Sequence, residues 1–197
     1  MPGFDAGSPC GEFLDELRVA AESNPRLRWG ELASPVEVRT DIFTCLFREA
    51  LSPEGFAEGW FVWRDLGSEV AVHLERTRVA LLPGFVICGL RMRCDQVLDS
   101  AELTVPLATG TVDEPAGLLM TGEIAARGDA LLVDAWGDFA VAACWTALVD
   151  VAIRVAAAAG IDACCGRLLP GAVWTAADIF TVIPQARHAI DAPKAPV

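Results

Sequence analysis

Apolar residues recur along this chain with two different periods, and the places where the period changes mark its elements. Ser8 and Pro9 open a run in which Phe13, Leu14, Leu17, Ala20 and Ala21 recur at helical spacing until Asn24-Pro25. A serine cap followed by proline at the first helical position predicts an amphipathic N-terminal helix. Residues 25–35 read as an irregular connector carrying Arg26, Arg28 and Trp29, after which Val36 and Val38 alternate with polar neighbours as a short strand. Between Asp41 and Leu51 the set Phe43, Leu46, Phe47, Ala50 fits a helix, and this is preferred to the strand set Ile42, Thr44, Leu46.

The middle of the chain switches to a period of two. Trp60 to Trp63, a turn at Asp65-Leu66-Gly67-Ser68 and the alternating Val70, Val72, Leu74 predict a hairpin. Further strands are predicted at 78–82, ending at Pro83-Gly84, and from Phe85, where Val86, Cys88, Leu90, Met92 and Cys94 share one face and Arg91 and Arg93 the other. Others follow at 101–107, 118–126 and 130–135, the last entered through a turn at Arg127-Gly128-Asp129. Sequential strands joined by short turns imply antiparallel pairing, since parallel neighbours need crossover helices.

Helical spacing returns over 138–159, between Gly137 and Gly160, where Asp138, Thr146, Asp150 and Arg154 form one narrow polar stripe and every other face is apolar. Such a helix needs cover on at least two sides. The remainder, 161–182, is apolar and turn-rich with a short strand at 179–183. The expected fold is α+β: an antiparallel sheet of about five to seven strands packed by the helix 138–159 and by the N-terminal helix. The expected organisation is one domain over 1–183 and a loose tail over 184–197.

Composition sharpens this picture. Hydrophobic residues make up 53% of the 197, and 27 acidic against 15 basic side chains leave a net charge of −12. A chain this acidic has no dominant electrostatic grip on nucleic acid. The longest stretch free of charge, 79–90, contains Pro83-Gly84, so no membrane span is expected, and the N-terminal residues show no secretory pattern. An intracellular (cytoplasmic) location is expected. There the seven cysteines, Cys10, Cys45, Cys88, Cys94, Cys144, Cys164 and Cys165, act as small reduced apolar residues. Their spacing lacks a paired C-x-x-C and the chain has two histidines, so neither a metal site nor a cofactor is expected.

Candidate chemistry is sparse. Cys164 or Cys165 would need His188 as a base to act as a nucleophile, and small buried thiols are the simpler reading. His73 beside Glu75, with Asp134 or Asp138 across the sheet, has the residue types of an acid/base pair, though strand alternation places His73 and Glu75 on a solvated face. Arg127-Gly128-Asp129 is better explained as turn chemistry than as an adhesion motif. Arg91 and Arg93 with Arg26, Arg28 and Trp29 suggest a small basic, aromatic patch, with ordinary surface arginines as the plainer account.

The expected function is therefore that of a non-catalytic interaction or assembly protein. Its apolar surplus would form a homo-oligomer or partner interface, with Phe139, Trp145, Val149 and Ile153 as interface candidates. The alternative is a pocket protein holding a small hydrophobic ligand between sheet and long helix, or an enzyme with such a pocket in which His73 does chemistry. A strand-rich middle followed by a long helix is similar in outline to helix-grip ligand-binding folds, without a motif that assigns a family. A filled core with a flat apolar patch outside would mark the first; a cavity of about 300 Å³ or more between sheet and helix would mark the second.

Overall fold

The computed structural model describes residues 8–23, 34–52, 59–65, 67–94, 100–116, 124–160 and 169–185. Among them are three helices and two antiparallel sheets, of five and three strands, so the α+β class is as expected. Helix α1 (Pro9–Ser23) is capped by Ser8, whose Oγ accepts from Gly11 N at 3.2 Å. Strand β1 (Val36–Arg39) leads directly into α2 (Thr40–Leu51), which has no side-chain cap of its own. Its first N–H is satisfied from far along the chain, Thr40 N donating to Asp178 O at 3.1 Å.

The five-stranded sheet runs β2 (Trp60–Asp65), β3 (Ser68–Leu82), β4 (Gly84–Arg93), β5 (Ala101–Gly110), β6 (Arg127–Gly128). The two strands expected at 70–75 and 78–82 are one strand, β3, whose register against β4 shifts between His73 and Arg78. Such a bulge leaves backbone carbonyls without ladder partners. Arg48 of α2 supplies the missing donors, its guanidinium reaching Thr77 O at 2.7 Å and Glu75 O at 2.9 Å. Arg48 thus ties α2 to the bulge of β3.

Helix α3 (Ala130–Ala158) starts eight residues before the expected position 138 and absorbs the strand expected at 130–135. Asp129 is the reason: its side chain accepts from Leu131 N and Leu132 N and so begins a helix where the apolar run alone suggested a strand. Arg127 and Gly128 form β6, and a side chain at Gly128, which has φ 148°, would press on the Glu102 carbonyl of β5. Of the strand expected at 118–126, residues 117–123 lie outside the described residues and 124–126 carry no strand.

At 29 residues α3 is, by length and composition alone, apolar enough to cross a membrane, which corrects the expectation that no segment reaches that size. Half of its most apolar window is buried inside the fold. The expected cover on two or more sides comes from the chain itself. Leu132, Ala140, Cys144, Leu148, Val151 and Val155 are buried in one core with Val86, Leu90, Met92, Leu103, Val105 and Leu107 of the sheet and Phe43 and Phe47 of α2. Strands β7 (Leu169–Ala176) and β8 (Ile179–Gln185) close another side, in a second sheet ordered β1-β8-β7. The sheets are tied by the buried Thr109–Thr175 hydroxyl pair, at 2.7 Å.

Candidate functional site

Strand alternation gives the five-stranded sheet an inner face against α3 and an outer face without a covering element among the described residues. The outer face has two unlike ends. At one end Leu82 pairs with Phe85, Ala80 with Ile87, Phe85 with Ala108 and Ile87 with Pro106. Leu82 and Phe85 are 49% and 47% exposed. With Val62, this face holds three of the seven large hydrophobic side chains that are exposed among the described residues.

The other end is aromatic and charged. Trp60 packs against its register partner His73, the rings tilted at 53° with 4.7 Å between centroids, and the Arg93 guanidinium lies 5.1 Å from the Trp60 ring. Arg91 faces Glu102 and donates to Ser100 Oγ at 2.7 Å. By alternation and register this face carries Arg64, Arg78, Arg91, Arg93 and Arg127 against Glu69, Glu75 and Glu102. It is therefore basic on a chain that is acidic overall.

His73 and Glu75 do come together over Gly59: a Cβ built there would lie 3.1 Å from His73 Cε1 and 3.4 Å from Glu75 Cδ. His73 Nδ1 is buried and makes no hydrogen bond. The expected partners Asp134 and Asp138 are not brought to it. They sit on α3, which packs on the inner face through Phe139 against Trp63 at 5.3 Å, and the sheet separates them from His73.

Cys164, Cys165 and His188, like Arg26, Arg28 and Trp29, lie outside the described residues. Of the four expected interface residues, Phe139 and Trp145 are partly buried against the core, Val149 is half-buried, and Ile153 is 40% exposed. A shallow depression of about 500 Å³ opens between Arg39, Thr40, Asp41 and the turn at Ala177-Asp178. The Arg39–Asp41 ion pair at its edge is exposed.

A second polar cluster was invisible in the spacing of the cysteines. Where α1, α2 and α3 meet, Cys10, Cys45 and Glu49 bring one sulfur or oxygen each to within 4.8 Å of one another. Cys10 Sγ donates to Glu49 Oε1 at 3.0 Å and touches Ser8 Oγ at 3.3 Å. Arg154 Nη1 holds the other Glu49 oxygen at 3.3 Å, and Arg154 Nε contacts Asp150 at 2.6 Å, the i, i+4 pair anticipated on the polar stripe. Burial, followed by the neighbouring Cys45 thiol and Glu49, pushes the Cys10 thiol up to about 12, although its bond to Ser8 acts the other way. Cys88 of β4 and Cys144 of α3 form a second thiol pair, in the core between sheet and helix, where burial raises Cys88 well above the usual thiol range. No family model matches this chain, and neither a curated protein nor a solved structure matches it.

Proposed function

We propose that this chain is a non-catalytic interaction or assembly protein whose outer sheet face binds a second copy of itself. The observation that carries the reading is the apolar end of that face, where Leu82 and Phe85 stand side by side in register and exposed, ringed by Ala80, Ile87, Pro106 and Ala108. Adjacent exposed large side chains on an uncovered sheet face are the kind of apolar patch an isologous interface buries. Charge fits a second copy too. Three glutamates stand among the five arginines along the remainder of the face, so a two-fold pairing can set the acids of one copy against bases of the other, with two arginines per copy left to solvent.

The alternative, a hydrophobic-ligand pocket between sheet and α3, is disfavoured by the side chains that occupy that space: Leu90, Met92, Leu103, Leu107 and Leu148 are fully buried there in one packed cluster. The catalytic reading of His73 rests on a histidine packed against Trp60 with an exposed Glu75 two residues along the same strand, and this supports binding better than proton transfer.

Light scattering coupled to size exclusion tests the reading on the full chain and on the double variant Leu82→Asp, Phe85→Asp. A dimer or larger species in the first and a folded 20.9 kDa monomer in the second are expected. A wild-type chain that stays monomeric at high concentration overturns self-association, and retention of a different protein lost in the double variant replaces the second copy with that partner.

A further inference from the structure

We propose that Cys10, Cys45 and Glu49 form a binding site for a thiophilic divalent cation, with zinc the ion their donor set fits. The three come from two helices. Cys45 and Glu49 are one turn apart on the same face of α2, and Cys10, in the first turn of α1, completes the set from across the junction. Two thiol sulfurs and one carboxylate oxygen are the borderline-soft ligands zinc prefers over the all-oxygen sets of calcium or magnesium. In a tetrahedral zinc site with Zn–S bonds of about 2.3 Å, two sulfurs stand about 3.8 Å apart. Donor atoms already within 4.8 Å of one another need to close by no more than about an ångström.

The surroundings favour a cation over an empty junction. Without an ion, Glu49 Oε1 has for a partner the Cys10 S–H, a weak donor for a half-buried carboxylate. Arg154 fixes the other oxygen, Oε2, and leaves Oε1 turned toward the two sulfurs, as an outer-shell group orients a ligand. Binding exchanges two S–H bonds for two Zn–S bonds. One Zn²⁺, two thiols and one carboxylate give a complex of net charge −1 and two protons released to solvent, and Arg154 offsets the remaining charge. Three protein ligands leave the fourth position to water on the Cys45 side, where the cluster is partly exposed. The Cys88–Cys144 pair has no carboxylate beside it among the described residues and serves as an internal control.

The test uses the full chain, reduced and freed of metal by a chelator, then titrated with Co²⁺ and Zn²⁺ alone. One equivalent of metal is expected to bind, with a thiolate-to-cobalt charge-transfer band and tetrahedral visible bands. Cys45→Ser and Cys10→Ser should abolish the band and Glu49→Gln should weaken zinc at least tenfold, while Cys88→Ser changes neither. Should Cys10→Ser unfold, the wild-type chain decides: one equivalent of zinc should slow alkylation of Cys45, located by peptide mass spectrometry, at least tenfold, and chelator should restore it. A wild-type chain that binds less than a tenth of an equivalent, a band that survives in Cys45→Ser, or an alkylation rate indifferent to zinc overturns the proposal.

Discussion

Along β4, neighbouring residues obey opposite rules. Val86, Cys88, Leu90 and Met92 are fully buried against α3, while Phe85 is half exposed on a face that also carries Arg91 and Arg93. The inner face is apolar because it is the core. The outer face is apolar at one end although nothing among the described residues covers it. Hydrophobicity alone does not separate these two roles; the register does, because a single step along the strand exchanges core for surface.

The sharpest way to break the comparison is to place the same charge on adjacent positions. Val86→Asp, like Leu148→Asp on the facing helix, buries an unpaired carboxylate and should cost about 4 kcal/mol or more, abolishing the native thermal transition. Phe85→Asp, one residue away, should leave the melting temperature within a few degrees of wild type and weaken self-association by roughly ten- to a hundredfold, about 1.4–2.8 kcal/mol. Equal melting temperatures for Val86→Asp and Phe85→Asp would mean that the two faces are assigned wrongly.

A smaller effect reads the buried thiols by pH. The raised thiols hold their protons when folded and lose them more readily when unfolded, so their stabilisation is intact below pH about 9 and declines as pH rises, for Cys10 up to about 12 and for Cys88 in the same direction. Denaturant midpoints should therefore fall above pH 9, and Cys88→Ala together with Cys10→Ala should flatten that fall; an unchanged slope would show that other groups cause it. The smallest effect belongs to the outer face. Arg64→Ala removes an exposed ion pair with Glu69 at 2.7 Å and should shift stability by no more than about 0.5 kcal/mol in a chemical denaturation curve.

Period and capping made much of the fold legible. Ser8-Pro9, the alternation in β4 and β5, and Pro83-Gly84 each specify their element locally. The errors fall where the deciding group is remote or small. The residues 130–135 look like a strand until Asp129 is recognised as a cap, and Leu169–Ala176 was not predicted as β7 because Pro170 and Gly171 punctuate it. The gap between the two halves of β3 is a bulge held by Arg48, and no window around residues 73–78 contains that arginine. The outer face was half legible: alternation placed His73 and Glu75 there, but the exposed pairing of Leu82 with Phe85 depends on which face α3 takes. The thiol–carboxylate cluster was not legible at all, since Cys10 and Glu49 are 39 positions apart and meet through the packing of α1 on α2.

The pairing of β1 with β8 sets an order on biosynthesis. Val36 and Val38 find their register opposite Val182 and Phe180, and α2 finds its missing cap in the turn that precedes β8. A chain leaving the ribosome N-terminus first therefore carries β1 and the start of α2 unpaired until residues 178–185 are made. Until then one strand edge and one helix end are open to solvent and to neighbouring chains, and a polypeptide truncated before 178 keeps them open permanently.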